Sequence, residues 1–187
     1  MLRVKTLQVL LAVTTLSLSC AFAQKTKVGY DKNADFSKYK SYTLQEPPAP
    51  VSRPLLYASV MGTIRQEIEA KGLTKADKDG DLTVIPTGGF DYGLGTSSGV
   101  TSDSCANCQK PLVDARDWVG KQAPPGDGGK VNPNGVLQLD FVDRATNKVV
   151  WSGAVTQKLN PDKKEESLQK VGAAIQKLLA EYPPKSK

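Results

Sequence analysis

GVLQLDFVDRATNKVVWSGAV, residues Gly135 to Val155, is the stretch whose pattern decides the fold. Leu137, Leu139 and Phe141 fall on one face at the two-residue period of a strand covered on one side. Asp143 to Lys148 reads as a polar turn in which Asn147 can take a left-handed backbone. Val149 to Val155 then returns as the partner strand, so the stretch predicts a β-hairpin with one apolar face to bury.

C-terminal to the hairpin, Asn160 is placed to cap a helix, Pro161 suits its first position, and Asp162, Glu165 and Glu166 crowd its early turns. Leu168, Val171, Ile175, Leu178 and Tyr182 line one face at spacings of three and four, and Pro183-Pro184 stops the run. On the N-terminal side, Lys25 to Tyr30 and Lys38 to Leu44 read as strands separated by a turn over Asp31 to Asp35. Glu46 to Pro50 is a polyproline-like connector. A helix starts at Pro54, carries Leu56, Val60, Ile64 and Ile68 on one stripe, and ends at Gly72. Asp81 to Pro86 is a short buried strand. The order β-β-α-β-loop-β-β-α predicts an α+β domain, a mainly antiparallel sheet with two helices packed on one face.

Between Gly88 and Asn134 the periodicity dissolves into Gly, Ser, Asp and Pro, with Trp118 and Leu112-Val113 as apolar anchors. A stretch this long without a pattern reads as a functional loop or a partly disordered insertion within a single domain over residues 24–187. The first 23 residues read differently. Arg3 and Lys5 precede an apolar run from Leu7 to Leu18, and Ala21-Phe22-Ala23 offers a signal-peptidase site, so residues 1–23 are expected to be a signal peptide and Gln24 the first mature residue. That run is too short and too rich in hydroxyl groups for a membrane span, and none is expected in the mature chain. Cys20, after Ser19, is a possible lipidation site, although Ser17 stands where a lipoprotein signal wants Leu. The expected location is therefore the periplasm or the exterior, with membrane anchoring through Cys20 as the variant.

The formal charge is +6, and the basic residues are scattered along the chain. Such a surface suits anionic envelope components, and no nucleic-acid footprint is expected. The chain has no histidine. This excludes Ser-His-Asp and Cys-His catalysis, His-ligated zinc, and c-type haem attachment at Cys108, which Gln109 follows.

Val28-x-Tyr30-Asp31 is followed by Asp35-Phe36-Ser37-x-Tyr39-Lys40-Ser41-Tyr42, and Ile68-x-Ala70-Lys71-Gly72-Leu73 stands ahead of Asp81-Leu82-Thr83-Val84. With the hairpin GVLQLDFVDRATNKVVWSGAV and the closing Tyr182-Pro183-Pro184, these landmarks resemble the domain-of-unknown-function 4136 family of exported bacterial envelope proteins and lipoproteins. The resemblance covers both ends of the mature chain and leaves Gly88 to Asn134 unmatched. It implies a small exported or lipid-anchored α+β protein and implies no activity. The weak lipobox at Cys20 and the Cys105–Cys108 pair depart from the family pattern.

Cys105-Ala106-Asn107-Cys108 is the constellation with most chemical content. In an oxidising compartment the pair closes a small structural disulfide ring, the leading reading. Thiol-disulfide exchange, with Cys105 as nucleophile and Cys108 as resolving thiol, is the alternative. No metal site is expected, because no further Cys or His remains to complete one. Gly93-x-Gly95-x-x-x-Gly99 lacks the spacing and the Lys of a phosphate-binding turn. Asp77-x-Asp79-Gly80-Asp81 has its Gly out of place for a calcium loop and reads as a turn before a strand. Asp140 and Asp143 flank the hairpin turn as a conceivable carboxylate pair, with Asp140 expected to face solvent and Asp143 to cap the turn. Trp118 and Trp151 could stack on a ligand, but a hairpin Trp beside Val149-Val150 reads first as packing. No catalytic residue and no cofactor emerge. The functional expectation is a non-catalytic envelope accessory module that binds a protein, glycan or lipid, with thiol-disulfide exchange as the alternative.

Overall fold

The structure, a computed structural model, describes residues 25–46, 51, 54–91, 134–160 and 162–185. The hairpin is its centre: β5 (Asn134–Asp143) pairs antiparallel with β6 (Lys148–Lys158), and Asn147 in the turn takes a φ of 53° as its sequence predicts. The pairs Leu137↔Val155, Leu139↔Gly153 and Phe141↔Trp151 form the covered face, and Leu139, Phe141 and Trp151 are fully buried there. The register slips between Phe141 and Val142, a bulge that re-aims the strand end towards the turn.

Four more strands extend the sheet in the order β1-β6-β5-β4-β2-β3. β1 (Lys25–Tyr30) runs antiparallel to β6 at one edge, and β4 (Leu82–Asp91) antiparallel to β5. β2 (Ser41–Leu44) is parallel to β4, and a two-residue β3 (Thr74–Lys75) is parallel to β2 at the other edge. The α+β class holds, but the sheet is mixed. The cause is α1 (Pro54–Ala70), which returns the chain to the end where β2 began, so β3 and β4 must run parallel to β2. The strands either side of the Asp31–Asp35 turn are not neighbours; they lie on opposite sides of the central hairpin.

β4 also runs past Pro86, where a strand was expected to end. The Gln45 N–H donates to the Val84 carbonyl, so the even-numbered residues of β4 direct their backbone groups towards β2. The β2–β4 pairing ends at Leu44↔Val84, and the N–H that Pro86 lacks falls beyond it.

Both helices lay their apolar stripes on the covered face. Val60, Met61, Ile64 and Ile68 of α1 and Ala174, Ile175, Leu178 and Leu179 of α2 (Lys164–Leu179) are buried in one cluster with the hairpin and with Tyr42, Leu82 and Val84. Gly72 at φ 89° ends α1 in a conformation that side chains resist. α2 starts at Lys164, later than the sequence predicts, and its N-cap residue is Lys163. The Asn160 side chain instead accepts from the Asp162 N–H at 2.9 Å, a local turn that competes with capping. The Ser167 hydroxyl meanwhile donates to the Asn160 carbonyl at 2.9 Å.

An aromatic cluster closes the end of the core near the hairpin turn. Tyr182 stacks on Phe141 at 4.4 Å between centroids and meets Trp151 edge-on at 5.6 Å, while Phe36 packs against Tyr182 at 5.9 Å. The Trp151 ring covers Gly153, where an added Cβ would lie 2.4 Å from Trp151 Cη2 and 2.9 Å from Leu178 Cδ1. The replacement Gly153→Ala is therefore expected to destabilise the domain by about 1–3 kcal/mol through overpacking. Urea unfolding checks this, and an unchanged midpoint would show that the ring is free to move aside.

Candidate functional site

The acidic residues singled out in the sequence serve the fold. Asp143, at the end of β5, is buried, and its Oδ2 accepts from Lys38 Nζ at 2.7 Å and from the Tyr39 hydroxyl at 2.8 Å. Its Oδ1 accepts from the backbone N–H groups of Ala145 and Thr146 at 2.9 and 3.0 Å, so it caps the turn as expected. Burial alone would raise its pKa. The hydrogen bonds from Lys38, Tyr39 and Thr146, with the Lys38 charge, outweigh that and hold the carboxyl well below the usual range. Burial, with the hydrogen bond to Asp143 and the charge of that carboxylate, pushes the Tyr39 phenol well up.

Asp140 departs from expectation. It is buried on the sheet face opposite the helices, beside Gln138, Thr87 and Ser152. Ser152 Oγ donates to it at 2.5 Å, and Gln138 Nε2 lies 3.0 and 3.1 Å from its two oxygens. Solvent exposure is thus corrected to a buried, hydrogen-bonded carboxylate. Strand alternation puts Asp140 and Asp143 on opposite faces, so they do not act as a pair.

Asp77 to Asp81 forms the turn before β4. Asp79 sits at φ 57° and pairs with Arg144 at 3.0 Å, and Asp81 accepts from the Lys40 and Ser41 N–H groups at 2.8 and 2.9 Å. Trp151 is fully buried as packing, with its Nε1 lacking an acceptor. Cys20, Cys105, Cys108, Trp118 and Gly93 to Gly99 lie outside the described residues, as do residues 1–24 and most of the stretch from Gly88 to Asn134. Gly88 to Asp91 and Asn134, expected to belong to that loop, are strand residues of β4 and β5.

A concave feature among the described residues lies elsewhere, between the N-terminal half of α1, the middle of α2 and the far end of the sheet. It is a pocket of about 40 Å³, walled chiefly by Leu56, Val60, Leu137, Val155, Ala174 and Ile175. Gln157 and Leu159 close the sheet end. Gln157 pairs with Gly135, and its Oε1 is buried with no donor, while its Nε2 donates to the Lys158 carbonyl at 3.1 Å. Sequence reasoning passed over this residue. The signal was available: Gln157 continues the inward row Trp151, Gly153, Val155, where a polar side chain breaks the pattern.

A family model described as a domain of unknown function, DUF4136, matches residues 26–184. The chain belongs to the DUF4136 family. No curated protein matches it. Among solved structures, a DUF4136 family protein from Bacteroides thetaiotaomicron is similar with a TM-score of 0.51 at 13% identity, over 86% of this chain and 96% of that one. A PDZ domain protein from Parabacteroides distasonis is similar with a TM-score of 0.54 at 14% identity, over 88% of this chain. This DUF4136 chain spans 37% of that protein's length. A PelC dodecamer from Paraburkholderia phytofirmans gives a TM-score of 0.49 at 10% identity, over 87% of this chain and 99% of that one. At these identities the likeness is one of fold.

The Asp143 junction yields a stability prediction. A carboxyl with a lowered folded-state pKa stabilises fully above its unfolded value, about 3.9, and that contribution is lost as pH falls through the folded value. Asp143→Asn keeps a turn acceptor but loses the charge facing Lys38, and is expected to cost about 1–3 kcal/mol at pH 7. Denaturant unfolding from pH 7 to pH 2 is expected to show the gap between wild type and variant narrowing below about pH 4. A gap that stays constant with pH would refute the ionic role.

Proposed function

We propose that this DUF4136 protein is an exported, non-catalytic binding module of the cell envelope, and that what it binds is lipid-like rather than a protein or a glycan. The observation that carries the reading is the apolar pocket between the two helices and the sheet. The assignments of the carboxylates support it: Asp143 holds Lys38, Tyr39 and the hairpin turn, and Asp140 holds Ser152 and Gln138. Export is supported by the order of the basic, apolar and small residues over positions 3–23. No helix among the described residues is long and apolar enough to cross a membrane.

The intact mass of the protein isolated from its native cells, with and without a thiol-blocking reagent, tests the export half. A mass starting at Gln24 is expected, with no label on Cys105 or Cys108 if they form a ring. A lipid-bearing mass starting at Cys20 supports the membrane-tethered form of the same reading. A mass starting at Met1 would overturn export, and labelling of both cysteines would move thiol exchange ahead of a structural ring.

A further inference from the structure

The pocket combines two features. Its wall is aliphatic, contributed by two helices and two strands. Its single polar lining side chain, Gln157, carries a buried oxygen with no donor. An unmet buried acceptor costs about 1–3 kcal/mol, so a ligand that offers it an N–H or O–H recovers that energy.

The strand register orients such a ligand. The pair Gly135↔Gln157 lies at the sheet end, and Leu137↔Val155 is the next inward pair on the same face, about 7 Å further in. A donor held at Gln157 therefore sends a chain inward towards Leu137, Val155 and Ile175. A volume of about 40 Å³ accepts about three or four water-sized groups, the tip of a chain and not a whole lipid.

We propose that this pocket binds the end of an unbranched alkyl chain that carries a hydroxyl or amide donor within about four carbons of its tip, the donor bonding to Gln157 Oε1. The proposal rests on the binding-module reading and makes it chemically specific. Neither the apolar wall nor the orphan acceptor favours a carboxylate or phosphate, which bring further acceptors to a site already lacking a donor.

Two isosteric probes test it on the purified chain. 1-Butanol has a donor, and 1-methoxypropane has the same heavy-atom count and none. Titration followed by backbone amide NMR is expected to shift Val136, Leu137, Val155 and Ala174 with both, and to show 1-butanol binding roughly three- to tenfold tighter. Gln157→Leu is expected to abolish that preference while the protein stays folded, because an apolar side chain removes the orphan oxygen. Ala174→Leu, which fills the pocket, is expected to remove both responses; thermal unfolding confirms that each variant is folded. Equal affinity of the two probes for the wild type would overturn the role of Gln157. Shifts that spare the pocket, or none, would overturn the site. Those outcomes leave export untouched, since the mass measurement decides it separately.

Discussion

The fold depends on one exchange of space, in which the Trp151 ring fills the volume that a side chain at position 153 would need. With Gly153 bare, Trp151 can meet Phe141 at 5.0 Å and Tyr182 at 5.6 Å, and Leu178 can close over the same spot. The hairpin, the C-terminal helix and the segment after that helix thus share a single contact. Its energy comes from shape, since the indole Nε1 is buried without an acceptor. β1 joins the same nucleus through the pair Tyr30↔Trp151, so the sheet edge is registered on it too.

A polar counterpart sits at the end of the hairpin. Asp143 collects a side-chain cation, a phenol and two backbone N–H groups from the β1–β2 connection and the β5–β6 turn. It fixes where the chain passes after leaving β1, and therefore which side of the sheet β2 can reach. Packing from Trp151 and hydrogen bonding at Asp143 act on the same hairpin from its face and its tip. The opposite end of the sheet, where the pocket lies, has no comparable polar clamp among the described residues. Aliphatic side chains alone define it, apart from Gln157.

The sequence was legible where period and burial agree. Leu137, Leu139 and Phe141 announce a strand, and Val60, Ile64 and Ile68 announce a helix, because each set faces one partner only. Strand partnership was not legible. β2 and β3 are four and two residues long, and nothing in SYTL or TK states that the neighbour runs parallel. The end of β4 was misplaced because Pro86 is a strand breaker only where its N–H would be needed. Asp140 looked exposed because polar residues at alternate positions normally mark the wet face, whereas here it is buried together with Gln138, Ser152 and Thr87, and Ser152 and Gln138 donate to it. Of the candidate site, the family and its α+β class could be read in advance. The pocket could not, since Leu56, Val136 and Leu159 come from distant parts of the chain and none is unusual in its own element.

The strand order has a consequence for the way this chain can be built. β1 is made first, yet its only sheet partner among the described residues is β6, and β4 finds β5 only across the long intervening stretch. The one local pairing in the sheet's centre, β5 with β6, lies in the final third of the sequence. Closure of the sheet is thus dominated by contacts distant along the chain, which sets a slow folding regime. Until that last third has been synthesised, β1 has no strand to pair with and β4 has only the short β2 beside it, so the wide half of the sheet waits for the hairpin.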